Sequence, residues 1–296
     1  MGSEQHYADE APVRRVHVDG FWMDPFPVTN ERFEQFVHET GYVTTAELTP
    51  SASDGQPARP DRQFPGSLVF DPPSMVADLR TPVWWHFRRG ADWRHPVGPA
   101  SSVRGLASHP VVHVSYADAL AFAKHYGAML PTEAEWEFAA RGGLDGAEYA
   151  WGPSLMPSGK CMANFWQGDF PCHNTLDDGY YRTSPVNAFP ANAYGLHDMI
   201  GNVWEWTSDW YRPTHPCDKY KDCCTRNPRC DRPEESYDLR PGAAHVPRKV
   251  VKGGSHLSAP NYCRRYRPAA RQPEPVHASS CHVGFRCIVR ATIARV

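Results

Sequence analysis

The chain has 296 residues, with 31 Lys and Arg against 33 Asp and Glu and a net charge of −2, a balance that excludes nucleic-acid binding by bulk charge. No run of about 18 apolar residues offers a membrane span, and the first residues carry no apolar signal region. With 29 Pro, 22 Gly and 10 Trp, composition favours a loop-rich globule pinned by aromatic clusters over a helical bundle; the 9 cysteines, odd in number and irregular in spacing, argue against a disulfide framework and lead to the expectation of a reduced, cytoplasmic protein.

In chain order, residues 13–22 alternate loosely and predict a strand. Asn30 is placed to cap a helix through Thr40, with Phe33, Phe36 and Val37 on one face and Gly41 closing it. Residues 49–73 are rich in Pro, Ser, Asp and Gly and read as a long loop inserted in a single domain spanning 1–296. Trp84, Trp85 and Trp93 are expected to form an aromatic cluster. A second helix follows Ser115, with Asp118 three residues on and Gly127 at its end. A third begins at Thr132, paired with Glu135 as a capping box, and stops at Gly142. From Tyr149 onward helical periodicity is almost absent, so short strands and ordered loops are expected.

Three places carry chemistry. The stretch from Lys252 to Cys287 contains Gly253-Gly254-Ser255, then Tyr262-Cys263-Arg264-Arg265, with Arg267 and Arg271 close behind. Cations beside a thiol favour the thiolate, the reactive form, whereas the plainer reading is a packed cysteine in a buried strand. Asn164 to Phe170 with Asp177-Asp178-Gly179-Tyr180, and Asp198 to Glu205, supply the mixture of carboxylates and carbonyls that calcium takes, although Asp-Gly turns and buried Trp-Glu pairs also arise without metal. Cys217, Cys223, Cys224 and Cys230 invite a zinc site, but two adjacent cysteines and long spacers fit a variable loop with spare thiols better.

The run Gly253-Gly254-Ser255-x-x-Ser258-x-x-x-Tyr262-Cys263-x-Arg265-Tyr266-Arg267-x-Ala269-Ala270-Arg271, ending in Gly284-Phe285-Arg286-Cys287, resembles the active-site segment of the formylglycine-generating enzymes. Leu130-Pro-Thr-Glu-Ala-Glu-Trp-Glu, Asn164-Phe-Trp-Gln-Gly and Gly195-Leu-His-Asp-Met-Ile-Gly-Asn-Val-Trp-Glu-Trp follow that family's order, so the likeness covers nearly the whole chain. These segments are shared by a broad superfamily and speak to fold; the C-terminal stretch speaks to activity. The likeness implies an α+β fold, a variant of the C-type-lectin scaffold with low regular secondary structure, here lacking the family's first strand.

In that family two cysteines five positions apart bind Cu(I), and O2 with a thiol reductant is used to convert a cysteine in a Cys-x-Pro-x-Arg motif of a client sulfatase to formylglycine. Cys263 matches the second cysteine; the first falls on Ser258. The likeness further implies that Ser255 and Tyr262 orient O2 or the client thiol, that Trp204 walls the pocket and that Arg271 stabilises a thiolate or an oxygen-derived anion; the plainer readings are core packing for Tyr262 and Trp204 and a carboxylate partner for Arg271. It implies two structural Ca2+ ions, one held by Asn164, Phe165 (carbonyl), Asp178 and Tyr180 (carbonyl), the other by Asp198, Gly201 (carbonyl), Val203 (carbonyl) and Glu205. No nucleic acid, no membrane and a monomer are expected. Ser258 leaves three explanations open: an engineered change, a relative that has lost oxidase activity and binds peptides, or a relocated thiol, for which Cys281 is the candidate. A lectin-like domain for a small ligand is a further alternative. Cys263 and Ser258 are expected to face each other across a solvent-reachable groove.

Overall fold

The computed structural model describes residues 1–50, 63–214, 224–240, 243 and 245–290. Strands β1 (Val16–His17) and β2 (Phe21–Met23) open the chain, followed by helix α1 (Asn30–Thr40). The strand expected over 13–22 is therefore two short pieces, interrupted at Asp19-Gly20 where the pattern turns polar. The cap of α1 is Thr29, whose Oγ1 accepts from Arg32 N at 3.3 Å, one residue before the expected Asn30. Asn30 instead donates through Nδ2 to Leu106 O, 2.8 Å away. Gly41, in the left-handed region at φ 66, closes the helix as expected.

Strands β3 (Gly66–Phe70) and β4 (Trp85–Arg89) form an antiparallel pair. β3 lies inside the segment read as a loop. Its residues are mostly buried on both faces, so the alternation that would have marked a strand is missing among the flanking prolines. Helices α2 (Tyr116–His125) and α3 (Glu133–Arg141) follow, each with the capping box read from sequence, Ser115 with Asp118 and Thr132 with Glu135. No α-helix follows Arg141 among the described residues; β5 (Trp204–Trp210), β6 (Thr225–Arg226), β7 (Arg248–Lys252), β8 (Arg271–Pro275), β9 (Val283–Gly284) and β10 (Ile288–Arg290) complete the chain.

The main sheet runs β8-β7-β5-β9, with β7 antiparallel to both neighbours and β9 parallel to β5. Its central strand β5 carries Trp204 and Trp206 into the largest core cluster, where they join Phe33 of α1, Phe122 of α2 and Phe285. A second cluster gathers Phe70, Trp84, Trp166, Phe170, Leu257, Ala259 and Cys281. The result is an α+β fold with little regular secondary structure, in which aromatic clusters do the packing that long helices do elsewhere. Among the described residues no helix is long and apolar enough to cross a membrane.

Candidate functional site

Strand β7 ends at Lys252 and feeds two glycines, both at positive φ. A Cβ on Gly254 would lie 2.9 Å from the Tyr266 backbone and 3.0 Å from Ser258 Oγ, so only glycine lets the two arms of this loop meet. A tight turn follows: Ser258 N donates to Ser255 O at 2.9 Å, and Ser255 N donates to Ser258 Oγ at 3.1 Å. The chain then returns through Ala259 N to Cys263 O at 3.1 Å, which sets the Ser258 hydroxyl close enough to the Cys263 thiol to favour its ionised form. Ser258 is buried and Cys263 is partly exposed. Burial pushes the Cys263 thiol up; the Arg265 amide and guanidinium, Ser258 and Arg267 pull the other way without cancelling it. The resting group is a neutral thiol.

Tyr262 forms the rim, 39% exposed, its ring stacked on Phe170 at 4.6 Å and edge-on to Trp84 at 5.4 Å. Ser255 Oγ lies 3.1 Å from His282 Nδ1, and the His282 ring packs on Trp85 at 4.7 Å. Burial holds that imidazole neutral, with a pKa of about 3. Trp204 is buried in the cluster against which Cys263 packs. Arg271 already has its anion: its Nε and Nη2 each reach Glu133 at 2.8 Å and Nη1 donates to Arg212 O at 2.7 Å. The cations whose charge bears on Cys263 are Arg265 and Arg267. Cys281 is buried in the second cluster, its Sγ accepting from Phe70 N at 3.3 Å.

Oxygen-rich loops lie behind this corner. Asp178 Oδ2 accepts from Phe165 N at 3.2 Å and from Gln167 Nε2 at 2.9 Å, and the same Gln167 amide donates to Phe165 O. Asn164 Oδ1 is buried without a hydrogen-bond partner. These oxygens converge on one electropositive amide beside an orphaned acceptor, a donor set that fits a hard cation. In the second set Asp198 Oδ1 is likewise buried and unpartnered, and burial pushes its carboxyl up to about 7. Glu205, however, is committed to a cation of the protein: its oxygens accept from Arg286 at 2.7 and 2.8 Å and from Trp136 Nε1 at 2.7 Å. The first set fits calcium; the second fits through Asp198, with Glu205 shared.

Asn202 joins these loops to the turn of Ser255 and was not singled out from sequence. Its N donates to Asn164 O at 2.8 Å, its Nδ2 to Asp198 Oδ2 at 2.9 Å, and its O accepts from His256 N at 3.0 Å. Asn in the left-handed region, here φ 56, inside Gly201-Asn202, was the available signal. His282 was also passed over as a partner of Ser255, because nothing in the order of residues pairs positions so far apart. Cys217 and Cys223 lie outside the described residues; Cys230 is partly buried, its N donating to Asp209 Oδ1 at 2.6 Å.

A family described as "Sulfatase-modifying factor enzyme 1-like domain" matches residues 1–291. The "Formylglycine-generating enzyme" of Mycobacterium tuberculosis is 47% identical over 291 residues, covering 97% of this chain and 93% of that protein. The "Inactive C-alpha-formylglycine-generating enzyme 2" of Bos taurus is 44% identical over 290 residues, covering 94% and 80%. Among solved structures, PvdO from Pseudomonas aeruginosa superposes with a TM-score of 0.59 over 98% of this chain and 90% of its own, at 21% identity, a likeness of fold alone. Relatives named active and inactive are nearly equally similar, so identity over the whole chain leaves the decision to single side chains.

Proposed function

Because the chain belongs to the sulfatase-modifying factor enzyme 1-like family, we propose that it is a protein of the formylglycine-generating type whose working thiol is Cys263 and whose client is a cysteine in a Cys-x-Pro-x-Arg segment of a sulfatase. The observation that carries this reading is the tight turn that sets Ser258 beside Cys263 at a partly exposed corner rimmed by Tyr262. Tyr262 stacked on Phe170 offers an apolar platform for an extended peptide. Ser255, tied to the neutral His282, holds an uncharged hydroxyl in the turn that carries Ser258.

Copper and O2 would supply the oxidation in such a protein. The donors present do not fit Cu(I): one thiol, and opposite it a hard, protonated hydroxyl where a second soft ligand is needed. That mismatch favours a second reading, a family member that binds the client peptide without oxidising it; two relatives of comparable identity are named inactive. Substituting Ser258→Cys separates the two. The first reading expects weak copper binding and little aldehyde from the parent protein. In the Ser258→Cys variant it expects tight binding in competition with a Cu(I) chelator, and aldehyde on a Cys-x-Pro-x-Arg peptide under air with a thiol reductant. Tight copper with the peptide retained but unchanged supports the binding reading. Activity present with Ser258 and abolished by Cys281→Ala moves the chemistry to Cys281.

Two calcium ions belong to the same proposal, one at Asn164, Phe165 O, Asp178 and Tyr180 O and one at Asp198, Gly201 O, Val203 O and Glu205. The orphaned oxygens of Asn164 and Asp198 support it. Their part is structural: they neutralise buried oxygens in loops that have no ladder to satisfy them.

A further inference from the structure

We propose that Tyr7, Asp9 and Glu10 are positioning residues that clamp the segment after Cys263 and so fix that thiol against Ser258. The assignment rests on the reading of Cys263 as the working thiol.

The first twelve residues have almost no regular structure, yet they are held firmly. Gly2 N donates to Glu137 Oε1 of α3 at 2.8 Å, and Ser3 N to Glu10 O at 3.2 Å. Gly2 sits at φ 87, where a Cβ would come within 2.6 Å of Glu10 O, so the segment closes on itself as a small loop. From that loop three residues reach across most of the length of the chain. Tyr7 Oη accepts from Arg264 N at 3.1 Å, and the Tyr7 ring lies under the Arg265 guanidinium, 4.0 Å from the ring centre. Asp9 Oδ2 pairs with Arg265 Nη1 at 3.3 Å and accepts from Tyr211 Oη at 3.0 Å. Glu10 takes Arg267 in a two-pronged pair, 2.5 Å to Nη2 and 2.8 Å to Nη1, with both side chains buried. Arg267 Nε then returns to Arg264 O at 2.7 Å.

The geometry has a direction. Arg264, Arg265 and Arg267 lie within four residues after Cys263 in the chain. On its other side Cys263 is steadied by Ala259 N, which donates to its carbonyl at 3.1 Å. The loop therefore has a short inner turn at 255–259 and a long outer arm whose anchor is supplied from residues 7–10. Glu10 is the part that tolerates least. Taking away one member of a buried ion pair leaves the other charge without compensation, and the side chain must leave the interior to recover water. If Arg267 leaves, the arm that carries the Cys263 carbonyl and thiol leaves with it. Arg265 and Arg267 are also the two cations whose charge bears on that thiol, so the strap sets where those charges stand.

The test reads thiol access in metal-free protein, needs neither copper nor peptide, and can therefore fail independently of the functional proposal. Parent, Glu10→Gln, Asp9→Asn and Tyr7→Phe are labelled with iodoacetamide at one pH, and peptides carrying Cys263 and Cys172 are quantified by mass spectrometry. Cys172, partly exposed on a different loop, is the internal reference. The expected result is a rise in the Cys263:Cys172 rate ratio of about fivefold or more for Glu10→Gln and about twofold for Tyr7→Phe, because the opening is local. If Glu10→Gln does not fold, Tyr7→Phe, which deletes one hydroxyl, carries the decision with Asp9→Asn. A ratio unchanged in every variant that folds, or Cys172 rising in step with Cys263, overturns the assignment and leaves the strap as a stabilising segment only.

Discussion

Cys263 and Cys281 lie on one C-terminal stretch, and burial pushes both thiols up. Cys263 is partly exposed and faces the Ser258 hydroxyl with two arginines at hand. Cys281 is walled by Phe70, Trp84, Phe170 and Leu257, and its sulfur is already bonded by a backbone amide. The direction of the pKa shift is therefore the same for both, and what separates a usable thiol from a packed one is access and the partner opposite. A relocated active site at Cys281 would have to break its contact with Phe70 N and open an aromatic cluster.

The largest expected effect tests that contrast directly. In native protein Cys281 should react with a small alkylating agent at least about a thousandfold more slowly than Cys263, since it is reached only through opening of the fold. Comparable rates would remove the distinction.

Next in size is an acid test of the dry side. His113 N donates to Ser280 O at 2.9 Å, one residue from Cys281, while His113 Nε2 donates to Pro96 O at 2.9 Å and Nδ1 meets Ser67 Oγ at 2.8 Å. Burial lowers its pKa from 6.5 to about 4; Pro96 O and Asp92 raise it and Arg182 lowers it further. The folded pKa is below the unfolded one, so the unfolded chain takes the proton first. The stabilisation is complete above pH 6.5 and is lost as pH falls towards 4, up to about 3 kcal/mol. His113→Asn, which tolerates the positive φ of this position, should flatten that slope in urea melts between about pH 7 and 4.5. Equal slopes in the two proteins would show that His113 does not hold this side closed.

The smallest effect concerns the path from the oxygen-rich loops to the thiol. Because Asn202 ties Asn164 and Asp198 to His256, chelation of calcium should raise Cys263 labelling by about twofold, leave Cys281 unchanged, and lower stability by about 2–3 kcal/mol if the ion had been present at roughly a hundred times its Kd. A melting temperature indifferent to chelator and to added calcium would discard the calcium proposal.

Much of this was legible before any coordinates. Helices α2 and α3 announce themselves, because a capping box and a terminal glycine are local instructions that neighbouring residues can carry out alone. The motif around Cys263 likewise brought Ser258 to it, since two positions five apart around a tight turn have little freedom to separate. α1 was placed with its cap off by one because Thr29 and Asn30 are both good caps, and the choice fell to Leu106, which draws the Asn30 amide away. β3 was missed because a strand buried on both faces has no alternation to read.

What order along the chain determined by itself is the set of local pieces: capped helices, the glycine turn, the thiol beside residue 258 and membership of a family. What only the tertiary structure decided is which charges meet. Arg271, for which sequence leaves a thiolate, an oxygen-derived anion or a carboxylate open as partner, is engaged by Glu133; Arg267 meets Glu10, and Glu205 meets Arg286. Each of these pairs joins residues far apart in the chain, and each is buried, so its formation depends on packing that brings both charges out of water together. A linear sequence states that the charges exist; the desolvation that makes one partner obligatory for another arises only once the core closes around them.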